Sequence, residues 1–341
     1  MKKNITEISF GANISPKDKR NIQFSDLTFT GGELYIKGGK EYLASDIEHQ
    51  HKVGICTAIH LIQNRQKANN KKYSADFQYL LQKKYLDNNW YEGSSIYSSL
   101  KVGYNYGFLE LKHWTYTTEA DRFLSYDEYI AKLQSIPEKE IKRLIKLCID
   151  KIGGYAWVDI SDEQQIAKAI TNSKAGILCR FAVDKNWWTS VSGVTSWAEK
   201  DLSPLRPPVI ATSGHAIIGS NFDFSIQEKL TLANTWGSTY CRNGSIDTIL
   251  SKYKPTEVWS INEKTIITKF TETIKLGMSG SAVQNLQNAL KIKGYFTVNS
   301  TGYFGLKTWY AVKKFQKANG LVADGIVGKK TNNCLNKLFS V

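Results

Sequence analysis

The sequence lacks any long apolar segment. No run of about 18 apolar residues occurs in the 341-residue chain, so no transmembrane helix is predicted. The first residues, MKKNITEISFGANIS, contain two lysines but no apolar core and no small-residue cleavage site, and they therefore do not predict a signal peptide. If the protein acts outside a cell, we expect a route other than the standard secretory one to deliver it.

Cysteine is scarce, and the spacing of the cysteines does not match that of a metal site. The five cysteines are odd in number, widely separated and free of CxxC pairs, which argues against both a disulfide framework and a zinc ribbon. Cys148 and Cys179 lie among aliphatic residues and are expected to be small buried hydrophobes. The histidines near Cys56 do not have the spacing of a closed tetrahedral zinc site. We predict no metal and no cofactor.

Acidic residues are scarce in the last part of the chain. Residues 264–341 contain twelve lysines against Glu272 and Asp324, giving +10 of the total net charge of +14. Such a basic region can bind nucleic acid, an anionic membrane or an anionic wall polymer, and charge alone does not choose among them. The hydrophobic content of 42% is enough for a folded core, and the length suits two domains.

The first 260 residues mix helical and strand patterns without regular alternation, which indicates an α+β fold. Ser161 and Gln164 form a capping-box pattern that predicts a helix over 161–170, and the β-rich run 175–183 predicts a strand. We predict an N-terminal extension over 1–34, a main domain over 35–262, a linker over 263–273 and a C-terminal module over 274–341.

The C-terminal module contains a near-repeat, TGYFGLKT at 301–308 and DGIVGKKT at 324–331. Each copy predicts a turn that starts a helix, with Thr308 or Thr331 in the first turn. Apolar residues at helical spacing flank these turns, so we expect a compact three-helix module.

Together these segments closely resemble the three-helix peptidoglycan-binding domains. The matching positions are Leu276, Gly277, Gly280, Val283, Leu286, Gln287, Leu290, Gly294, Tyr295, Gly302, Phe304, Gly305, Thr308, Ala311, Val312, Phe315, Gln316, Gly320, Leu321, Asp324, Gly325 and Gly328. The resemblance implies binding to bacterial peptidoglycan or an associated anionic wall polymer, to which the +10 charge is suited. Nucleic-acid binding is not favoured, since the aromatic residues fall at core positions.

The stretch EHQHKVGICTAIH, residues 48–60, raises the question of a cysteine nucleophile. A thiolate nucleophile needs a histidine beside it in space, and that histidine needs an orienting partner. His60 follows Cys56 by four residues and would lie beside it on one helix, an arrangement that seldom converges on a substrate. His49 and His51 precede the presumed helix, and His113 has no supporting motif.

His215 and Asn234 form a better pair. Each lies at a predicted strand, so an amide oxygen of Asn234 could accept a hydrogen bond from His215 and fix its tautomer. We expect Cys56 at a helix N-terminus, where the helix dipole would lower the thiol pKa.

These segments resemble the papain-like cysteine peptidases over roughly residues 35–260. The shared elements are Gln50 six positions before Cys56; Gly54 and Ala58 around it; Gly214, His215 and Ala216; and Asn234, Trp236, Gly237, Tyr240, Asn243 and Gly244 at family spacing. The resemblance implies a two-lobed fold with a helical lobe and a β-barrel-like lobe. It implies Cys56 as nucleophile, His215 as general base and then acid, Asn234 as its orienting group, and Gln50 as oxyanion donor. Trp236 would shield the hydrogen bond, and Gly93, Ser94 and Gly214 would line the substrate cleft.

The sequence departs from that family in several places. Thr57 and Val53 replace a usual tryptophan and a usual cysteine, and Cys241 replaces a usual glycine. Only 55 residues precede Cys56, too few for the long inhibitory propeptide of the eukaryotic enzymes, so activation by removal of a pro-segment is not expected.

The two parts predict a wall-targeted cysteine endopeptidase acting on peptides, with peptidoglycan peptides as candidate substrates. With no signal peptide predicted, release by lysis or carriage on a virion is expected, as for a phage endolysin. The alternatives are a wall-anchored protease that acts on proteins, and a catalytically inactive wall-binding or virion structural protein.

Overall fold

A computed structural model describes residues 11–16, 21, 23–27, 37–183, 210–225, 228–235, 245–263 and 267–339. The chain divides into two compact units: Met1–Pro16 with Glu33–Glu263, and Lys17–Gly32 with Lys264–Val341. Among the described residues, no helix is both long enough and apolar enough to cross a membrane.

One half of the larger unit is helical. Its helices are α1 Cys56–Asn69, α2 Ala75–Gln82, α3 Ile96–Asn105, α4 Tyr126–Gln134 and α5 Glu138–Ile145. Side-chain oxygens cap three of them, since Ser74, Ser95 and Ser125 each accept a hydrogen bond from a first-turn amide of α2, α3 and α4. Helix α1 has no such cap and is buried from Cys56 to Gln66, so the remaining elements pack around it.

The other half is built on an antiparallel sheet. The strands of the unit are β1 Ala12–Asn13, β2 Lys37–Gly39, β3 Ser94–Ser95, β4 Gly154–Trp157, β5 Ile177–Val183, β6 Ser213–Asp223, β7 Lys229–Ala233, β8 Ser245–Ile249 and β9 Glu257–Asn262. Within the described part of the chain the main sheet has the order β4-β9-β5-β6-β7-β8, and β2 pairs with β6. Helix α6, Glu163–Asn172, also belongs to this unit. The predicted α+β architecture with a helical and a sheet lobe is confirmed.

The predicted start of α6 is wrong in one detail. The cap is Asp162, whose carboxylate accepts a hydrogen bond from the Gln165 amide, and Ser161 instead bonds to Asp159. A carboxylate at the cap also interacts favourably with the helix dipole, which a serine hydroxyl does only weakly.

The smaller unit contains the three predicted helices, α7 Ser281–Ile292, α8 Leu306–Ala318 and α9 Lys329–Phe339. Its core is formed by Phe270, Ile274, Val283, Leu286, Ala289, Leu290, Phe296, Phe304, Ala311, Val312, Phe315, Val327 and Leu335. Thr308 and Thr331 lie in the first turns of α8 and α9, as the repeat predicts.

A buried glutamine holds each copy of the repeated turn. Gln287 accepts a hydrogen bond from the Gly302 amide at 2.9 Å and donates to the Tyr303 carbonyl at 2.8 Å. Gln316 makes the equivalent bonds to Gly325 and Ile326, each at 2.9 Å. The near-repeat in the sequence is therefore a repeat of one hydrogen-bonded turn.

Replacing Gln287 by alanine should loosen the first turn. The Gly302 amide and the Tyr303 carbonyl would lose their partners in a buried place, at a cost of about 2 kcal/mol. Amide hydrogen exchange over residues 301–308 should become faster, whereas Gln284→Ala, a change at a half-buried position of the same helix, should leave it unchanged. Equal exchange in both variants would contradict this role.

Candidate active site

Cys56 is the first residue of α1, as predicted, and its side chain is fully buried. Helix α1 begins after Ile55 without a side-chain cap, so its first-turn amides are not occupied by a capping oxygen. Cys56 therefore lies at the positive end of the helix dipole. A helix N-terminus favours the anionic form of a thiol.

His215 lies on β6 and Asn234 follows the end of β7, the neighbouring strand. The Nε2 atom of His215 is 2.8 Å from Oδ1 of Asn234, so the predicted hydrogen bond between them is present. Since the amide oxygen accepts, Nε2 carries the proton and Nδ1 is the nitrogen able to take another. The Thr235 amide also donates to Oδ1, at 2.8 Å, which fixes the orientation of the Asn234 side chain.

The helix and the sheet bring Cys56 and His215 to the same place. The backbone of Ala216, the residue after His215, lowers the pKa of the Cys56 thiol and therefore lies beside the sulfur. His60, one turn along α1, contacts the His215 ring edge to face with 5.5 Å between centroids. The Nδ1 atom of His60 also lies 2.8 Å from the Cys56 carbonyl oxygen, where it donates. His60 therefore lines the candidate site as a neighbour of His215, a place that its helical spacing alone does not reveal.

Gln50 is fully buried and is tied to the same segment as Asn234. Its backbone amide donates to the Thr235 carbonyl at 2.9 Å, and the Thr235 hydroxyl donates to its Oε1 at 2.8 Å. The bond from Thr235 fixes the orientation of the Gln50 side-chain amide. Oε1 accepts this bond, and the amide nitrogen at the other end is a donor. Sequence reasoning missed Thr235, although its place beside Asn234 is a signal that could have suggested it.

A buried ion pair supports the backbone on either side of Gln50. Arg122 donates to Asp76 at 3.0 Å and to the His49 carbonyl at 3.0 Å, and its own carbonyl accepts from the Lys52 amide. A buried guanidinium is tolerated only when it is paired and hydrogen-bonded, as it is here. Arg122 and Asp76 were not predicted, since nothing in their local sequence links them to residues 49–52.

The predicted cleft residues Gly93 and Ser94 lie against Gly11 and Ala12, and the predicted cleft residue Gly214 lies against Ala12. Strand β1 pairs in parallel with β3, and the Ser94 amide donates to the Gly11 carbonyl at 2.7 Å. On the sheet side, Gly214 packs against the carbonyl of Ala12. The predicted shielding residue Trp236 lies outside the described residues.

Burial controls the ionisation of the Cys56 thiol and of the His215 imidazole. Burial raises the pKa of the Cys56 thiol from 9.0 to about 11, although backbone hydrogen bonds from Ala216, Gly11 and Thr57 act to lower it. Burial likewise lowers the pKa of His215 from 6.5 to about 4, against the opposing hydrogen bond to Asn234. The predicted lowering of the thiol pKa is therefore wrong for this structure, because desolvation outweighs the helix terminus. At neutral pH both groups are neutral.

Within the described ranges, no group of three or more His, Cys, Asp or Glu side chains could hold a metal ion. His51 instead pairs with Glu119 at 2.7 Å and stacks on His49, with 3.8 Å between ring centroids.

Comparison with known proteins gives separate likenesses for the two parts. Residues 279–335 match the family of putative peptidoglycan binding domains. A spore cortex-lytic enzyme of Bacillus cereus is 39% identical over 80 residues, which cover 24% of this chain and 31% of that enzyme. The spore cortex-lytic enzyme of Bacillus subtilis is 37% identical over 93 residues, covering 27% of this chain and 30% of that enzyme. The chain thus spans less than a third of the length of either relative.

Among solved structures, xylellain, a cysteine protease from Xylella fastidiosa, resembles this chain with a TM-score of 0.52 and 18% sequence identity. The likeness covers 75% of this chain and 96% of xylellain. At this level of identity it shows the fold, which is papain-like.

The buried histidine makes a testable contribution to stability at acidic pH. Because the folded pKa of His215 is about 4 and its ordinary value is 6.5, the unfolded chain binds a proton more readily, and stability is lost as pH falls through this window. The free energy of unfolding should therefore fall about 2 to 3 kcal/mol more between pH 7 and pH 4.5 in the wild type than in a His215→Gln variant.

Urea unfolding at the two pH values measures this difference. A His113→Gln variant, altered at a histidine away from the site, should keep the wild-type dependence on pH. If His215→Gln also kept it, His215 would not be the buried neutral histidine described above.

Proposed function

We propose that this chain, which joins the fold of the papain-like cysteine proteases to a peptidoglycan-binding domain, is a cysteine endopeptidase held at the bacterial cell wall. The observation that carries the proposal is the meeting of Cys56, His215, Asn234 and Gln50 at one buried point between helix α1 and the sheet. The cell-wall lytic relatives support the same setting.

The geometry supports a two-step acyl transfer. Nδ1 of His215 takes the proton of the Cys56 thiol while the sulfur attacks the carbonyl carbon of a peptide bond. The imidazolium, held in place by Asn234 Oδ1, then gives this proton to the leaving amine, and a thioester with Cys56 remains. His215 next accepts a proton from the water that attacks the thioester and then returns it to the departing sulfur, which releases the carboxylic acid and restores the Cys56 thiol.

Gln50 is the side chain that we propose to stabilise the oxyanion in both steps. With Oε1 occupied by the Thr235 hydroxyl, its side-chain amide nitrogen and the Cys56 backbone amide are the donors for the tetrahedral oxygen. Loss of one such donor costs about 3 kcal/mol of transition-state stabilisation.

The smaller unit offers a surface for wall binding. A cavity of about 900 Å³ lies beside the first repeated turn and is lined by Leu276, Gly277, Gln287, Phe296, Val298, Asn299, Thr301, Tyr303, Gly305, Leu306, Lys307 and Thr308. Two of these lining residues, Tyr303 and Leu306, are 53% and 64% exposed, and exposed apolar side chains that line one cavity are typical of a binding surface. Beside them, Lys307 provides a charge for the carboxylates of peptidoglycan peptides.

The site residues predict Cys56-dependent cleavage of peptides. Purified walls and a casein-type protein should be incubated with the wild type, with Cys56→Ala and with the control Cys148→Ala, and new amino termini identified by mass spectrometry. We expect wall-derived termini from the wild type and Cys148→Ala, and a loss of at least about 10⁴-fold in Cys56→Ala.

Cleavage of casein alone would favour a wall-anchored protease that acts on proteins. No Cys56-dependent product from either substrate would favour an inactive wall-binding protein. Release by lysis or carriage on a virion stays a prediction.

The cavity predicts a loss of wall binding in a Tyr303→Ala, Leu306→Ala variant. Removing two exposed anchors should weaken sedimentation with insoluble walls about tenfold or more, and binding of the wild type should fall with added salt. Val322→Ala is a matched control, since Val322 is 77% exposed but does not line the cavity. Equal sedimentation of all three proteins would rule out this cavity as the contact surface.

A further inference from the structure

A short 3-10 helix between α3 and α4, Glu119–Phe123, contacts the turn that contains Gln50, residues 49–52. The Thr118 amide donates to the Asp121 carboxylate at 2.7 Å, so the short helix is itself fixed at its start. Its contacts with the turn join residues 68 and 73 positions apart in the chain. The turn therefore takes its position from a distant segment.

One residue of the short helix binds the backbone on both sides of Gln50. Arg122 Nη1 donates to the His49 carbonyl at 3.0 Å, and the Arg122 carbonyl accepts from the Lys52 amide at 3.0 Å. Arg122 is itself held by Asp76, to which its Nε donates at 3.0 Å. Because Arg122 is buried and bonded at both ends, the backbone around Gln50 has little freedom to move.

The residue after Gln50 has a conformation that needs support. His51 has a φ of +54°, in the left-handed region that residues with a Cβ atom seldom adopt. Its Nε2 lies 2.7 Å from Glu119 Oε1, and its ring packs on Phe123 with 3.9 Å between centroids. Its amide donates to Nδ1 of His49 at 2.9 Å. These contacts offset the cost of the left-handed residue.

The side chain of Gln50 is fixed separately, by the sheet. The Thr235 hydroxyl donates to Gln50 Oε1 at 2.8 Å, which sets the rotation of the amide group. The place from which that side chain starts is set by the turn. A donor stabilises an oxyanion only when its nitrogen lies within hydrogen-bond distance of the oxygen that forms, and a shift of about 1 Å can cost about 100-fold in rate.

We propose that Arg122 and His51 are positioning residues for Gln50, and that the short helix Glu119–Phe123 anchors them. In this arrangement the short helix sets the place of the Gln50 amide nitrogen and thereby the rate of acyl transfer at Cys56. The proposal rests on the peptidase function proposed above. Neither residue contacts the reacting atoms, so each acts through Gln50.

Arg122→Lys tests the bond to the His49 carbonyl. Lysine keeps a positive charge beside Asp76 but lacks the planar fork that reaches Asp76 and the carbonyl together. With a synthetic peptide that spans the bond cleaved by the wild type, kcat should fall about tenfold or more, and KM should stay within about twofold. Lys132→Ala is the control, since it removes only an exposed ion pair with Asp121 of the same short helix, and it should keep the wild-type kcat.

Two replacements of His51 test the left-handed turn without touching the buried ion pair. Both remove the contacts with Glu119 and Phe123. Glycine adopts a φ of +54° without the cost that alanine has there. His51→Ala should therefore lower kcat about fivefold more than His51→Gly does. A wild-type kcat in both variants would contradict the role of His51.

Alkylation of Cys56 distinguishes a misplaced Gln50 from general damage to the site. Iodoacetamide reacts with the sulfur by displacement of iodide and forms no oxyanion. Its rate, measured by mass spectrometry of the Cys56 peptide, should stay within about twofold of wild type in Arg122→Lys and in both His51 variants. Alkylation that slowed as much as kcat would overturn the proposal. Circular dichroism checks that each variant is folded.

The nuclear magnetic resonance signals of the Gln50 side-chain amide give a readout that needs no catalysis. In full-length protein labelled with 15N-glutamine, Gln50→Asn identifies these signals by their loss. We expect the Gln50 signals to shift in Arg122→Lys and in His51→Ala and to stay in place in Lys132→Ala. Unchanged Gln50 signals in both of the first two variants would overturn the proposal, whatever their activity.

The same data separate this inference from the proposed function. If the Gln50 signals shift but the wild type cleaves neither walls nor casein, the short helix positions Gln50 as proposed and the peptidase assignment fails. If the signals shift and kcat falls in the same variants, the short helix positions the oxyanion donor of an active peptidase.

Discussion

The packing of helix α1 against the sheet is the constraint on which the rest of the site depends. Helix α1 is buried along most of its length and yet contains many polar side chains, which are tolerated inside a protein only when hydrogen-bonded. Asn64 donates to the Ala175 carbonyl at 2.8 Å, and Arg65 pairs with Glu263 at 2.6 Å. These partners belong to segments that flank strands of the sheet, so they fix the position of the helix relative to it. The proximity of Cys56 to His215 follows from this position of the helix on the sheet.

The same packing sets the charge of the Cys56 thiol and of the His215 imidazole. Both groups are held neutral by desolvation. The positive end of helix α1 acts on the thiol in the opposite direction, so entry of water at the sulfur would favour the thiolate. Burial therefore also protects the thiol from oxidation, because the thiolate is the form that oxidants attack.

Motifs that are local in the chain were predictable, and contacts between distant segments were not. The spacing around Gln50, Cys56, His215 and Asn234 identified four side chains that the structure places in one region, and the α+β class followed from the element pattern. Thr235 and Arg122 act through partners 185 and 73 residues away, Gln50 and the His49 carbonyl, so their own neighbourhoods carry no signal. The thiol pKa was predicted with the wrong sign because the sequence shows the helix terminus but not the segment that buries it.

In the C-terminal module, a comparison of the two repeated turns distinguishes the positions that serve the fold from the positions that are exposed to a ligand. Positions shared by the two turns are structural: Gly302 and Gly325 donate to the buried glutamines, and Phe304 and Val327 fill the core. Exposed positions differ, since Tyr303 and Leu306 in the first turn correspond to Ile326 and Lys329 in the second. The first turn thus presents a more apolar, aromatic surface beside Lys307, and the second presents two adjacent lysines, Lys329 and Lys330. A ligand with both sugar rings and carboxylates, such as peptidoglycan, can use both kinds of surface, whereas a purely electrostatic ligand would need only the second.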